Sequence, residues 1–211
     1  MNPLEIFRSY IHYLIHPFST HESFLNPDRF EGESLVKLTA YESLITSWVF
    51  VIVNGVFRVI TLNFLIVFLL DLASDSEINY AGIINLEEFP AFYLIVISSI
   101  VDIIFYPIYG MVIIKFWDFI FKMYGNLMEV SGDISQKSHD ILCVYFSSSI
   151  LKIVPIFGAP IQSLASMVLM YAGIRKQLNA SPALSVCIIL TPMLFGLALI
   201  CLITLLVMIS L

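Results

Sequence analysis

The chain has 211 residues, 59% of them hydrophobic and 12% charged, with a formal net charge of −6. An ordinary soluble domain carries roughly 25% charged residues, so there is too little charge here to coat a soluble domain of this size, and lipid is the simpler solvent. The negative balance also excludes a nucleic-acid binder, which needs clustered Lys and Arg.

Residues 3–18 place Leu4, Phe7, Ile11, Leu14 and Phe18 at helical spacing, with Glu5, Arg8, Ser9, His12 and His16 filling much of the rest. That pattern predicts an amphipathic helix, lying either at the membrane interface or against a soluble partner. The same residues lack the clean apolar core and small-residue cleavage site of a signal peptide, so the first long apolar run is expected to act as the insertion signal. Residues 19–40 are polar and turn-rich and read as a cytoplasmic linker. The chain therefore divides into a cytoplasmic segment, 1–42, and a membrane domain, 43–211.

A helix needs about 20 apolar residues to cross a hydrocarbon core of about 30 Å. Residues 43–70 and 91–114 meet that requirement, with an acidic loop at 71–89 between them. The second run extends as helix to about Tyr124, and Pro107 with Gly110 predicts a kink within it. After a polar loop at 125–140 come two apolar arms, 141–154 and 157–174, separated by Pro155, Gly158 and Pro160. The first arm reaches only about 21 Å as a helix. The pair forms either two spans or one re-entrant hairpin. A polar turn at 175–182 precedes the last span, 183–210. The expected fold is thus all-α: a polytopic bundle of five spans, or three plus a re-entrant hairpin.

Cytoplasmic loops collect Lys and Arg. Arg8, Arg29 and Lys37 precede the first span, Lys115, Lys122 and Lys137 follow the second, and Arg175 and Lys176 precede the last. The 71–89 loop has no basic residue but holds Asp71, Asp75, Glu77, Glu87 and Glu88. This segregation predicts a cytoplasmic N-terminus and a C-terminus on the opposite side, whether periplasmic, extracellular or lumenal. Lys152 falls near the outer end of the short hairpin.

A charge inside the bilayer is costly and usually pairs or lines a polar path. Arg58 lies twelve residues from Leu70, and Asp102 eleven from Ala91. Antiparallel neighbours would place both at nearly the same depth, and an Arg58–Asp102 ion pair is expected, with Asn54 one turn away as a supporting polar group. The pair either fixes helix register or lines a substrate or proton path. His12, His16, His21 and Glu22 provide no closed ligand set for a metal. His139 and Cys143 have no third group to orient them as a nucleophile pair. Cys143, Cys187 and Cys201 sit in apolar runs and read as small buried side chains. No GxSxG, HExxH or Walker-type glycine loop occurs. No cofactor and no enzymatic activity are expected.

The segments LKIVPIFGAPIQ at 151–162 and YAGIRKQLNASPAL at 171–184 resemble the Yip1-domain family. Its bacterial members share a Pro-x-x-Gly break, here Pro155 and Gly158. They also share a basic turn before the final helix, here Gly173, Arg175, Lys176 and Ser181. IHPF at 15–18 resembles the segment that precedes their first span. Gln177 and Asn179 depart from the family turn, and the eukaryotic YGP element is missing, so a Rab-binding role is not carried over. The resemblance implies a five-span protein acting as a non-enzymatic scaffold or adaptor in membrane organisation or trafficking. The alternative is a small transporter, channel or lipid-moving protein built on Arg58 and Asp102. A packed pair favours the first, and a cavity there favours the second. The expected partners are the lipid bilayer and, within it, another membrane protein or further copies of the chain.

Overall fold

The structure, a computed structural model, describes residues 3–26, 35–74, 91–154 and 157–210. Every regular element among them is helical. Two short helices come first, α1 (Pro3–Ile15) and α2 (Pro17–Leu25). The single helix expected over 3–18 is broken at His16, whose φ of −123° and ψ of 56° are not helical. The cause is Pro17, which biases the residue before it away from helix and restarts one at its own first position. α2 also takes up part of the segment read as a linker.

The apolar stripe expected over 3–18 packs only in part, with Leu14 against the core and Ile11 half-buried. Leu4 is 75% exposed and Phe7 and Phe18 are exposed, whereas Ser9, Tyr10 and Tyr13 are buried. The helix therefore shows apolar side chains outward and packs its hydroxyl-bearing face onto the protein.

α3 (Ala40–Ser74), α4 (Ala91–Leu127) and α7 (Pro182–Ser210) are the three helices long and apolar enough to cross a membrane. α3 opens on a capping box. The Glu42 N–H donates to Thr39 Oγ1 at 3.2 Å, and the Thr39 N–H donates to Glu42 Oε2 at 2.7 Å. α4 runs through Pro107 as one element. α3 and α4 are antiparallel neighbours: Gly110 faces Leu44, Gly55 faces Ser99 and Ile103, and the Trp48 indole donates to the Ile103 carbonyl at 2.7 Å. Most of the 71–89 loop, with Asp75, Glu77, Glu87 and Glu88, lies outside the described residues.

The expectation of five spans is corrected here. α5 (Ile134–Ser147) has 14 residues, about 21 Å, and continues as a short 3-10 segment, Ser148–Ile153. α6 (Gly158–Gln177) has 20 residues but carries Gln162, Ser163, Ser166, Arg175 and Lys176. Neither is apolar and long enough to span. The two are antiparallel: Ile141 lies against Gly173, Gln162 Nε2 donates to Ser148 Oγ at 3.4 Å, and Leu151 and Lys152 lie against Gly158. α5 starts on Asp133, whose carboxylate accepts from the Ser135 and Gln136 N–H groups at 2.8 and 3.4 Å.

The core lies around this hairpin. Ile114, Phe121, Ile141, Leu142, Ile174 and Ile188 join α4, α5, α6 and α7 in one cluster. Tyr10, Tyr13, Phe24, Phe50, Val144 and Leu169 tie α1, α2 and α3 onto the other side of the hairpin. Beyond Thr191, α7 leaves the bundle, and Met193 to Met208 are exposed.

Candidate functional site: a charged cavity at the hairpin tip

The break between α5 and α6 is built from serines. A helix ends with unsatisfied carbonyls and the negative end of its dipole. At the end of α5 the Phe146 carbonyl accepts from Tyr10 Oη at 2.6 Å, Ser47 Oγ at 2.9 Å and Ser149 Oγ at 2.8 Å. One turn earlier Ser43 Oγ donates to the Cys143 carbonyl at 2.7 Å. Tyr10 also lies 2.5 Å from Ser47 Oγ, and its ring stacks on Phe50. α1 thus plugs the polar end of α5, and α3 holds it in register. This hydroxyl cluster went unread in the sequence, where the only sign of it was the run Ser147–Ser149 inside an apolar arm. Burial pushes the Tyr10 hydroxyl far above its ordinary pKa, so it acts as a neutral donor.

With the hairpin held this way, its tip reaches the charged residues of α3 and α4. Arg58 Nη1 lies 3.4 Å from Asp102 Oδ2. Gly55, three residues before Arg58, faces Ile103, the residue after Asp102, which brings the two charged side chains within reach of each other. Lys152, from the 3-10 segment, places its ammonium over the Tyr106 ring at 5.0 Å from the centroid. Asn54, Arg58, Asp102, Tyr106 and Lys152 all line one cavity of about 460 Å³. A second cavity of about 410 Å³ shares Asn54, Arg58 and Ala159 with it, and adds Thr61, Val154 and Gly158. Lys152 and Tyr106 were not singled out as site residues in the sequence, since only the hairpin fold carries Lys152 to this place.

The other sequence-level candidates fall elsewhere. Pro155 lies outside the described residues. Gly158 starts α6 where a Cβ would sit 2.6 Å from the Leu151 carbonyl oxygen. Gly173 leaves room for His21, whose Nε2 would be 2.9 Å from an added Cβ. Arg175 donates to the Ala180 carbonyl and closes the turn before α7, where Asn179 has a φ of 52°. Lys176 pairs with Glu22 and holds α2 against α6. Ser181 Oγ accepts from the Leu184 N–H at 3.3 Å and caps α7. Gly173, Arg175, Lys176 and Ser181 thus close turns and packing, whereas Gly158 also lines the second cavity. His12 and His16 have ring centroids 5.1 Å apart on α1, whereas His21 turns into the core. Among the described residues no group of three His, Cys, Asp or Glu side chains could hold a metal ion. Cys143 is fully buried, and the His139 ring lies tilted beside Tyr41, centroids 5.7 Å apart. Cys187 and Cys201 are exposed rather than buried as expected, because their helix stands at the edge of the bundle.

His21 is fully buried, and neither ring nitrogen has a hydrogen-bond partner. Burial, and then the nearby Lys37 ammonium, push its pKa down to about 3. Because the docked-state pKa is lowered, the stabilisation is complete above the ordinary histidine value and is lost as pH falls below it. Docking of α1 and α2 is therefore expected to weaken below about pH 6.5, by up to about tenfold per pH unit. Hydrogen exchange of residues 3–26 between pH 7 and pH 5 checks this. His21→Phe is expected to flatten the dependence, and unchanged protection at pH 5 in the unmodified chain would refute it.

No protein-family model, curated protein or solved structure matches the chain.

Proposed function

We propose that this is a small transport or lipid-moving membrane protein whose substrate site is the cavity at Arg58, Asp102 and Lys152. The observation that carries the reading is the cavity itself. Arg58 and Asp102 do meet, but beside open volume rather than inside a packed core. Intramembrane charges next to a broken helical segment are how many transporters build their sites. In this reading α3, α4 and α7 cross the bilayer, and α5 with α6 forms a re-entrant hairpin; non-helical backbone at membrane depth is tolerated where it is buried or lines a cavity, and Lys152, Val154 and Gly158 line the two cavities. Lys37, Lys137, Arg175 and Lys176 lie on the α1–α2 side of the bundle: Lys37 pairs with Asp140 in the middle of α5, and Lys176 pairs with Glu22 of α2. That distribution supports a cytoplasmic N-terminus and a C-terminus on the far side.

A scaffold or adaptor, the role implied by the Yip1-like segments, is the second reading. It is favoured by the exposed outer half of α7, an apolar surface open to another membrane protein or a second copy.

Reconstitution into phosphatidylcholine vesicles separates the two. The expected result is leaflet exchange of a fluorescent phospholipid, or leakage of a trapped anion, above protein-free vesicles. The activity is expected to disappear in Arg58→Gln/Asp102→Asn with the helical content kept. No exchange and no leakage from folded protein would reject the transport reading in favour of the scaffold.

A further inference from the structure

We infer that the cavity binds a singly charged anionic amphiphile, an oxyanion head carried on an acyl chain, with Lys152 and Arg58 as its counter-ions. The inference rests on the transport reading of the same cavity and names its ligand. Three charged side chains line the volume: Arg58, Lys152 and Asp102. Asp102 is held by Arg58 at 3.4 Å. Among the described residues Lys152 makes no ion pair within 4 Å; its ammonium lies over the Tyr106 ring, with Asp102 acting on it at longer range. One positive charge is therefore left over. At membrane depth an uncompensated cation is unfavourable, and the group that balances it best is a monoanion. A cationic ligand would meet two like charges, and a dianion would reverse the imbalance.

The walls give the second half of the ligand. Val51, Val101 and Phe105 line the same volume and are apolar, so the cavity offers both charged and apolar walls. The site is open rather than sealed: the Arg58 and Asp102 side chains are 42% and 65% exposed, and the neighbouring surface of α4, Val101, Ile104, Phe105 and Ile108, is apolar and exposed. A chain can lie along that surface while its head occupies the charged pocket. Asn54 supplies a neutral hydrogen-bonding group for a remaining oxygen.

Native mass spectrometry of the full-length protein in detergent tests this, with phosphatidylglycerol, phosphatidylcholine and inorganic phosphate as the probes. Phosphatidylglycerol is expected to bind more tightly than phosphatidylcholine. Lys152→Gln is expected to lower that preference by about tenfold, the loss of one charge-assisted contact, and Lys152→Arg to retain it. Thermal melts of both variants establish that they are folded. Inorganic phosphate that displaces the lipid at millimolar concentration would make the ligand a free oxyanion and overturn the amphiphile. Equal binding of both lipids, or a preference unchanged in Lys152→Gln and also in Arg58→Gln, would overturn the site. A dimer that takes no lipid and dissociates in Lys152→Gln would overturn it too, with a second copy as the occupant. The vesicle assay keeps the two proposals apart. Lys152-dependent lipid binding without leaflet exchange rejects transport and leaves the site, whereas exchange without any headgroup preference rejects the ligand and leaves transport.

Discussion

Gly158→Val is expected to destabilise the protein by about 3 kcal/mol or more, at the upper end of the range for overpacking. A Cβ at this position meets the Leu151 carbonyl oxygen at 2.6 Å and the Lys152 Cα and carbonyl oxygen at 2.9 Å. All three are backbone atoms, so no side chain can swing away, and the hairpin itself must open. Opening it moves Lys152 off the cavity and strains the contacts of Tyr10 and Ser47 with the Phe146 carbonyl. Gly196→Val is the control, because nothing lies within 4 Å of a Cβ there. Thermal unfolding in detergent reads both. A Gly158→Val protein as stable as the control would show that the close approach of α6 to the 3-10 segment is not needed.

The second large effect concerns the charged pair. Asp102→Asn alone leaves Arg58 and Lys152 in the cavity with no carboxylate among its lining residues, and is expected to destabilise the protein through that unbalanced positive charge. Arg58→Gln alone is expected to be milder, because Lys152 remains near Asp102. The double variant removes one charge of each sign and is expected to recover most of the stability lost in Asp102→Asn. The coupling is the quantity to measure, by a double-mutant cycle in lipid nanodiscs. Additive losses would mean that the 3.4 Å contact contributes nothing. Recovered stability with no recovery of transport would separate the two roles of the pair: balancing charge, which neutral amides also achieve, and holding a substrate, which they do not.

Each charged residue of the site has a different status in the sequence. Arg58 and Asp102 stand out in it because a charge in a long apolar run is conspicuous. Their contact also follows from chain order, since consecutive spans joined by one loop run antiparallel. Lys152 is just as charged but sits at the end of a short arm, where it read as a hairpin-end residue facing outward. Nothing local says that its arm folds back, that serines from α3 cap it, or that Tyr10 from α1 fills the space behind it. The residues that hold the tip, Tyr10, Ser43, Ser47 and Ser149, come from three distant parts of the chain, and hydroxyls carry no periodic signal.

Span number shows the same division. Length and hydropathy picked out α3, α4 and α7 directly, because crossing a bilayer is a property of one segment and the lipid around it. The 141–174 segment stayed ambiguous, because two short apolar arms suit both a pair of spans and a hairpin. In the fold the two arms are antiparallel, with Ile141 against Gly173 and Gly158 against Leu151 and Lys152, and among the described residues neither is long and apolar enough to span. The sequence by itself determined that the chain is helical and apolar enough for a membrane, and that Arg58 and Asp102 belong together. Only the tertiary structure decided that a third charge, Lys152, stands at the same cavity. Composition and periodicity report on each segment's solvent, whereas the cavity depends on side chains that meet only after the hairpin has docked.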